Sequence, residues 1–219
     1  MYKNKITKKV IDDYNFIINK LLQLKLYRDS NQMIAKDESS TCEQIIWSRK
    51  NGNNILYDVA VSSKNMLDTL LNDRQFSIVL YDKSIFQFQC IIENENIKKI
   101  IMLYLKKDNK IWSIEDINHF EAMDEPDYWF EQEYGCPIMI RIDYDPESFV
   151  EVEHSKAHMT ISNAENCRIP MKTYFMFSEF VSFILWNFYS IKIEKSPVCY
   201  NADDTITTEE LKIHHINWN

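Results

Sequence analysis

The stretch FSIVLYDKSIFQFQCIIENENIKKIIMLYL, residues 76–105, decides the fold. It divides into three apolar segments, 76–81, 85–92 and 97–105, which are rich in β-branched and aromatic residues. Such residues favour extended strands. The two polar breaks between the segments are too short for the helical crossover that joins parallel strands. The stretch therefore predicts three antiparallel strands joined by tight turns.

Periodic patterns on either side of this stretch predict two long helices and a further strand. Residues 6–27 carry an apolar stripe at helical spacing, and residues 178–189 carry another that follows Ser178, a residue type that caps helices. Apolar and polar residues alternate over 138–144, which predicts a half-buried strand. The predicted fold class is therefore α+β, with an antiparallel sheet of about five to seven strands. We expect the sheet to pack against an N-terminal helix and a buried C-terminal helix.

Shorter signals complete the expected order of elements. The polar stretch 29–41 predicts a loop, and the turn at 51–53 predicts a hairpin between strands at 44–47 and 55–61. Three further short elements are expected, namely a helix at 65–71, a strand at 158–161 and a helix from Thr208. We expect a single domain over 1–219, with the N-terminal helix in 1–28 and a C-terminal tail at 191–219.

Composition argues against several classes of protein. Glycine occurs only at Gly52 and Gly135, whereas a loop that cradles a phosphate needs several glycines. We therefore expect neither a P-loop nor a dinucleotide-binding fingerprint. The net charge of −8 disfavours nucleic acid as a partner without excluding it, since phosphate contacts require basic residues. One basic segment is expected to protect a sheet edge, and it consists of Lys98, Lys99, Lys106, Lys107 and Lys110.

Cysteine usage and hydropathy predict a cytoplasmic protein. The five cysteines are far apart and never in C-x-x-C spacing, which argues against a disulfide framework and a zinc knuckle. A membrane-spanning helix needs about 18 consecutive apolar residues, and the densest apolar run is interrupted by Glu179. We therefore expect reduced thiols and no membrane association.

An acidic and aromatic stretch lies at 115–133, with eight carboxylates and neither lysine nor arginine. Its simplest interpretation is a solvated segment that packs its rings on the sheet. The alternative interpretation is a docking surface for a basic partner, centred on Glu125, Asp127, Tyr128 and Trp129.

The strongest candidate for chemistry is a set of four residues around a His-x-x-x-His pair. Asp143 ends a predicted strand, His154 and His158 follow it, and Arg168 precedes Pro170. Asp143, His154 and His158 could bind a divalent metal ion or carry out acid–base chemistry, with Arg168 holding a phosphate. In the structural alternative Asp143 pairs with Arg141, both histidines satisfy backbone groups of a turn, and Arg168 pairs with a carboxylate.

Three blocks of the chain resemble the uncharacterised bacterial proteins grouped as domain of unknown function 2290. The blocks are IVLYDKSIFQFQCIIE at 78–93, PIMIRIDYDPES at 137–148 and HSKAHMTISNAENCRIPMKTYFMFSEFVSFILWNFY at 154–189. The resemblance marks about 44–190 as the core of the chain. Ser155 and Ser162 depart from it, since the family usually has Pro and Gly there. The resemblance implies no established reaction, and it implies a setting among bacterial mobile or phage-defence genes.

Two functions follow from these observations. The first is a non-enzymatic, protein-binding subunit of a phage-defence or stress-response complex, which needs no cofactor and binds another protein of that complex. The alternative is a metal-dependent hydrolase or nuclease that uses the His-x-x-x-His pair with Asp143.

Overall fold

The computed structural model describes residues 4–48, 63–106, 138–161, 167–198, 200 and 204–212. Within these ranges the predicted α+β class is confirmed, because three α-helices accompany one antiparallel sheet of nine strands. The helices are α1 (Lys5–Gln23), α2 (Ser63–Asn72) and α3 (Phe177–Tyr189). The strands are β1 (Tyr27–Ser30), β2 (Met33–Asp37), β3 (Cys42–Trp47), β4 (Ile78–Leu80), β5 (Ile85–Glu93), β6 (Asn96–Lys106), β7 (Ile138–Tyr144), β8 (Ala157–Ile161) and β9 (Ile169–Pro170).

The sheet is built around the predicted meander. Its strand order is β1-β4-β5-β6-β7-β8-β9, and the second half of the long strand β5 also pairs with β3, which pairs with β2. The β5–β6 hairpin turns through Asn94 and Glu95, whose φ angles are 51° and 61°. Two consecutive positive φ angles match the right-handed twist of the flanking strands, so the tight turn predicted here is confirmed.

The prediction of a loop over all of 29–41 is wrong in part, because the end of β1 and the whole of β2 lie in this stretch. Among the described strands, both lie at edges of the sheet, where the backbone pairs on one side and polar side chains face water. β1 is also fastened by an ion pair, since Arg74 Nη1 lies 2.8 Å from Asp29 Oδ2. A polar composition is therefore compatible with these strands. β1 and β2 account for the two strands beyond the expected five to seven.

Two groups of helices cover the two faces of the sheet. α1 and α3 pack on one face, where aromatic side chains dominate the core. The ring centroids of Phe88 and Phe177 are 4.7 Å apart, and those of Phe86 and Phe180 are 5.9 Å apart. α2 packs Leu67 and Leu70 on part of the opposite face.

The start of α3 differs from its prediction. Ser178 is not the N-cap, because the helix begins at Phe177 and Met176 precedes it as the cap. The Ser178 N–H donates instead to Oδ2 of Asp13 at 2.9 Å, and the Met176 N–H donates to the Glu179 carboxylate at 2.8 Å. A buried aspartate of α1 thus accepts a hydrogen bond from a backbone N–H in the first turn of α3.

The lysines of β6 do not protect an edge, because β6 lies between β5 and β7. Lys98 pairs with Glu93 and Glu147, each at 3.1 Å, and Lys99 pairs with Asp145 at 2.6 Å. Lys106 is buried and pairs with Asp82. Lys107 and Lys110 lie outside the described residues.

Some of the predictions concern residues outside the described ranges. β3 has β2 and β5 as its neighbours, and the strand expected at 55–61 lies outside the described residues. The acidic surface of Glu125, Asp127, Tyr128 and Trp129 also lies outside them.

Cys42, Cys90 and Cys167 are free thiols. None of the described helices combines the length and apolar character needed to cross a membrane.

Candidate functional site

The pairing of β7 with β8 brings two of the predicted site residues together. Asp143 and His158 are directly opposite each other, and Nε2 of His158 lies 3.7 Å from Oδ2 of Asp143. Both are buried, with 7% of Asp143 and 4% of His158 exposed. Because side chains alternate along a strand, Arg141 and Thr160, which are opposed two residues further along the strands, lie on the same face of the sheet.

Asp143 and His158 each have a second contact. Nη2 of Arg141 donates to Oδ1 of Asp143 at 2.7 Å, and Nδ1 of His158 lies 3.1 Å from the carbonyl oxygen of Ser155. Since a carbonyl oxygen only accepts, Nδ1 carries a hydrogen and Nε2 is the basic nitrogen of the neutral ring. These are the contacts that the structural alternative predicted for the two residues.

His154 is placed by a tight turn. Its N–H donates to the carbonyl of Val150 at 2.7 Å, and the Val150 N–H donates back to the carbonyl of His154 at 3.0 Å. Val152, inside this turn, has a φ of 68°, which is unusual for a β-branched residue. The turn brings the His154 ring to a centroid distance of 4.9 Å from that of His158, at an interplanar angle of 67°.

The side chain of His154 is incompletely satisfied. Its Nδ1 is buried, and no described residue forms a hydrogen bond with it. The ring itself is half-buried, unlike that of His158. A buried polar atom without a partner is uncommon and costs free energy, so such an atom is a candidate contact for a ligand.

Arg168 completes the set. In the β8–β9 pairing His158 is opposite Pro170 and Met159 is opposite Ile169. Continuing this register by one residue places Arg168 opposite Thr160, beside His158. Consistent with that position, the positive charge of Arg168 acts on the pKa of His158. The fold thus brings Asp143, His154, His158 and Arg168 into one cluster, which we call the histidine cluster.

The electrostatics of the cluster favour a neutral His158. Burial lowers the pKa of His158 below its ordinary value of 6.5, because the charged ring loses its hydration. The carboxylate of Asp143 and the carbonyl of Ser155 oppose this effect, whereas His154 and Arg168 reinforce it. At neutral pH the ring is therefore uncharged.

The cluster offers a limited set of donors to a metal ion. Among the described residues, no three His, Cys, Asp or Glu side chains are grouped so that they could hold one ion. Oδ1 of Asp143 is bound to Arg141 and Nδ1 of His158 to a carbonyl, so within the described residues each side chain has one atom left as a metal ligand, Oδ2 and Nε2, and these two face each other. The expectation of a divalent metal at Asp143, His154 and His158 stays a prediction.

A second polar cluster was not predicted from the sequence. Asp82 accepts hydrogen bonds from Lys106, from Ser84 Oγ at 2.6 Å and from Tyr189 Oη at 2.7 Å, and the Tyr104 hydroxyl lies 2.9 Å from that of Tyr189. Burial alone would raise the pKa of Asp82, but the charge and hydrogen bond of Lys106 outweigh it and lower the pKa. The feature of the sequence that could have indicated this cluster is Lys106, a lysine at the end of an apolar segment.

Comparison with known proteins assigns the chain to a family. The profile of an uncharacterized conserved protein family, domain of unknown function 2290, matches residues 26–218, which is more than the resembling blocks cover. No curated protein and no solved structure matches the chain. The matched region contains all nine described strands, α3 and the histidine cluster. The chain therefore belongs to this family of uncharacterized conserved proteins.

Proposed function

We propose that the chain is a hydrolase of phosphate esters, in a nucleotide or a nucleic acid, and that His154 is its acid–base residue. The observation that carries this proposal is the buried Nδ1 of His154, which has no hydrogen-bond partner among the described residues. A ligand or an activated water molecule would give this atom a partner.

The contacts of the cluster divide the roles among its members. Asp143 and His158 are buried and engaged with Arg141 and Ser155, so they serve as positioning residues. His154 has a half-buried ring against His158 and is the member that can touch a substrate. Arg168 is exposed beside His158 and would bind the phosphoryl oxygens.

The proposed reaction needs only the ester, water and the residues of the histidine cluster. His154 takes a proton from water as the oxygen of the water attacks phosphorus. It returns the proton to the leaving oxygen when that oxygen's bond to phosphorus breaks, so the ring ends in its starting state. Asp143 and His158 hold the orientation of His154 during both steps. A divalent metal at the cluster, if bound, would polarise the phosphoryl group.

The test uses the purified chain with a panel of phosphate esters. We expect wild-type protein to hydrolyse p-nitrophenyl phosphate, bis(p-nitrophenyl) phosphate, a nucleoside triphosphate or a single-stranded oligonucleotide, with and without Mn²⁺, Mg²⁺ or Zn²⁺. His154→Ala should lower kcat by about 100-fold or more, because general acid–base groups contribute roughly 10²–10⁴-fold. Its melting temperature should stay near that of the wild type.

Glu153→Gln is the matched control, since Glu153 is exposed in the same turn and its replacement should leave kcat unchanged. His158→Ala is a poorer test, because it removes a buried ring and lowers the melting temperature as well. No hydrolysis of any ester, or equal rates for wild type and His154→Ala, would contradict the proposal.

A second candidate function is the protein-binding subunit, for which we propose the turn at 147–153 as the docking surface. Val150 and Val152 are 50% and 49% exposed there, among the glutamates Glu147, Glu151 and Glu153. Exposed apolar side chains within an acidic rim suit a partner that offers basic residues around an apolar one. We propose that this partner belongs to a phage-defence or stress-response complex, in keeping with the phage-defence setting that the family resemblance implies.

The docking surface is tested with synthetic peptides that alternate Lys or Arg with Leu or Val. We expect binding that weakens in the double variant Val150→Ser/Val152→Ser, while Leu22→Ser, an exposed leucine of α1, leaves affinity unchanged. Affinity that depends on charge alone, or a stable monomer with no affinity for such peptides, would count against this function.

A further inference from the structure

The face of β7 and β8 that carries the histidine cluster continues into a second row of side chains. Arg141 on β7 is directly opposite Thr160 on β8, and the register of β8 with β9 places Arg168 on the other side of Thr160. We call these three residues the arginine row. It lies two residues along the strands from the opposed pair of Asp143 and His158, on the same face of the sheet.

We propose that the arginine row is a binding site for a phosphoryl anion, the phosphate of the ester that His154 would hydrolyse. The inference rests on the proposed function for its substrate and adds the residues that recognise it. Two guanidinium groups on either side of a hydroxyl offer a set of N–H and O–H donors, and arginine donors match the geometry of phosphate oxygens.

Arg168 and Thr160 are the members of the row that are open to an anion. Arg168 is exposed and forms no ion pair within the described parts of the chain, and the Thr160 hydroxyl has no hydrogen bond within the same ranges. Arg141 is half-buried and shares its charge with Asp143. Such a side chain is already positioned, because its bond to Asp143 fixes the guanidinium before a ligand arrives.

The neighbouring groups set the charge at this place. Within the described residues, the carboxylate of Asp143 pairs with Arg141 at 2.7 Å. Arg168 forms no ion pair within the same residues, and it adds a positive charge that also acts on His158. In a chain with a net charge of −8, this local positive charge would concentrate an anion beside His158, whose ring contacts that of His154.

The closing experiment measures binding of inorganic phosphate and sulfate to the whole chain by calorimetry and by thermal shift, with chloride as the reference salt. We expect phosphate to bind the wild type and to raise its melting temperature by mass action. Arg168→Gln and Thr160→Val should each weaken phosphate binding, the former by about tenfold or more, as expected for loss of a charge-assisted hydrogen bond.

Two control variants make the result specific. Arg28→Gln removes the same charge from an exposed position on β1, and Thr160→Ser retains the hydroxyl, so both should bind phosphate as the wild type does. Equal weakening by Arg28→Gln and Arg168→Gln would show general attraction of charge and overturn the inference. No binding of phosphate by the wild type would overturn it too.

The outcome also separates this inference from the proposed function. Phosphate binding that depends on Arg168 and Thr160, in a chain that hydrolyses no ester, would support the site and refute the hydrolase. Hydrolysis that depends on His154 but has an unchanged KM in Arg168→Gln and Thr160→Val would support the hydrolase and overturn the site. Oligonucleotide binding that competes with inorganic phosphate would identify a nucleic acid as the source of the phosphoryl group.

Discussion

The carboxylate of Asp82 and the ammonium group of Lys106 form a buried ion pair between the β4–β5 turn and the end of β6. Only 7% of Asp82 and 2% of Lys106 are exposed. The hydroxyl of Tyr189, the last residue of α3, donates to the same carboxylate at 2.7 Å. The buried ion pair thus connects the β4–β5 turn, the end of β6 and the end of α3.

We predict that Lys106→Met lowers the free energy of unfolding by about 3–5 kcal/mol, since removing one partner leaves the other charge buried and unpaired. The double variant Asp82→Asn/Lys106→Met should lose less than the sum of the single variants, because both act on one interaction. Urea denaturation at pH 7 measures these differences.

Lys98→Met is the matched control on the same strand. Lys98 pairs with Glu93 and Glu147 near the surface, so its replacement should leave the free energy of unfolding nearly unchanged. If Lys106→Met is no more destabilising than Lys98→Met, the buried pair does not stabilise the fold.

Much of the fold is encoded in local patterns, which explains why it could be predicted. The meander from Ile78 to Lys106 and the alternation over Ile138–Tyr144 each follow from residues adjacent in sequence. The edge strands were missed because edge pairing depends on distant partners, as between Tyr27 and Leu80. The central position of β6 was missed for the same reason, since β7 follows it only after about 30 residues.

The candidate site could be predicted in its members but not in its arrangement. His154 and His158 are conspicuous because few histidines occur in the chain, and Asp143 ends a clear strand. The opposition of Asp143 to His158 depends on the register of two strands, and a shift of β8 by one residue would turn the His158 side chain to the other face, away from Asp143. Thr160 and Arg141 gain significance only once that register is known.

The pH dependence of stability offers a second prediction, which concerns His158. The pKa of its ring is lowered in the folded chain, so the unfolded chain takes up the proton first as the pH falls through 6.5. The free energy of unfolding should therefore fall with decreasing pH, at up to about 1.4 kcal/mol per pH unit between the folded pKa and 6.5. Denaturation series between about pH 8 and pH 5.5 measure this slope.

His158→Gln should flatten the slope, because it removes the group that titrates. Asp143→Asn should steepen it, since the Asp143 carboxylate opposes the lowering of the His158 pKa and Arg168 does not. Parallel slopes for the wild type and His158→Gln would refute this assignment.

A third prediction concerns the contact between α1 and α3. Asp13→Ala should lower the free energy of unfolding by about 0.5–2 kcal/mol, because the Ser178 N–H in the first turn of α3 loses its acceptor. Asp12→Ala is the control, since Asp12 is exposed and pairs with Lys8 on the same helix. Equal effects of the two variants would mean that Asp13 does not cap α3.

The last prediction addresses the expected metal ion. A metal that binds only the folded chain must raise the melting temperature as its concentration increases. If Mn²⁺, Zn²⁺ or Mg²⁺ binds at Asp143, His154 and His158, the rise should disappear in His154→Ala/His158→Ala, after correction for the lower melting temperature of that variant.

Arg168→Gln is the informative control for this titration. It leaves the three expected ligands in place and removes a neighbouring positive charge, so it should strengthen metal binding while it weakens phosphate binding. A rise in melting temperature that persists in His154→Ala/His158→Ala would place the metal elsewhere. With no rise for any of the three ions, the predicted metal site fails, and hydrolysis, if observed, depends on His154 acting on water without a metal ion.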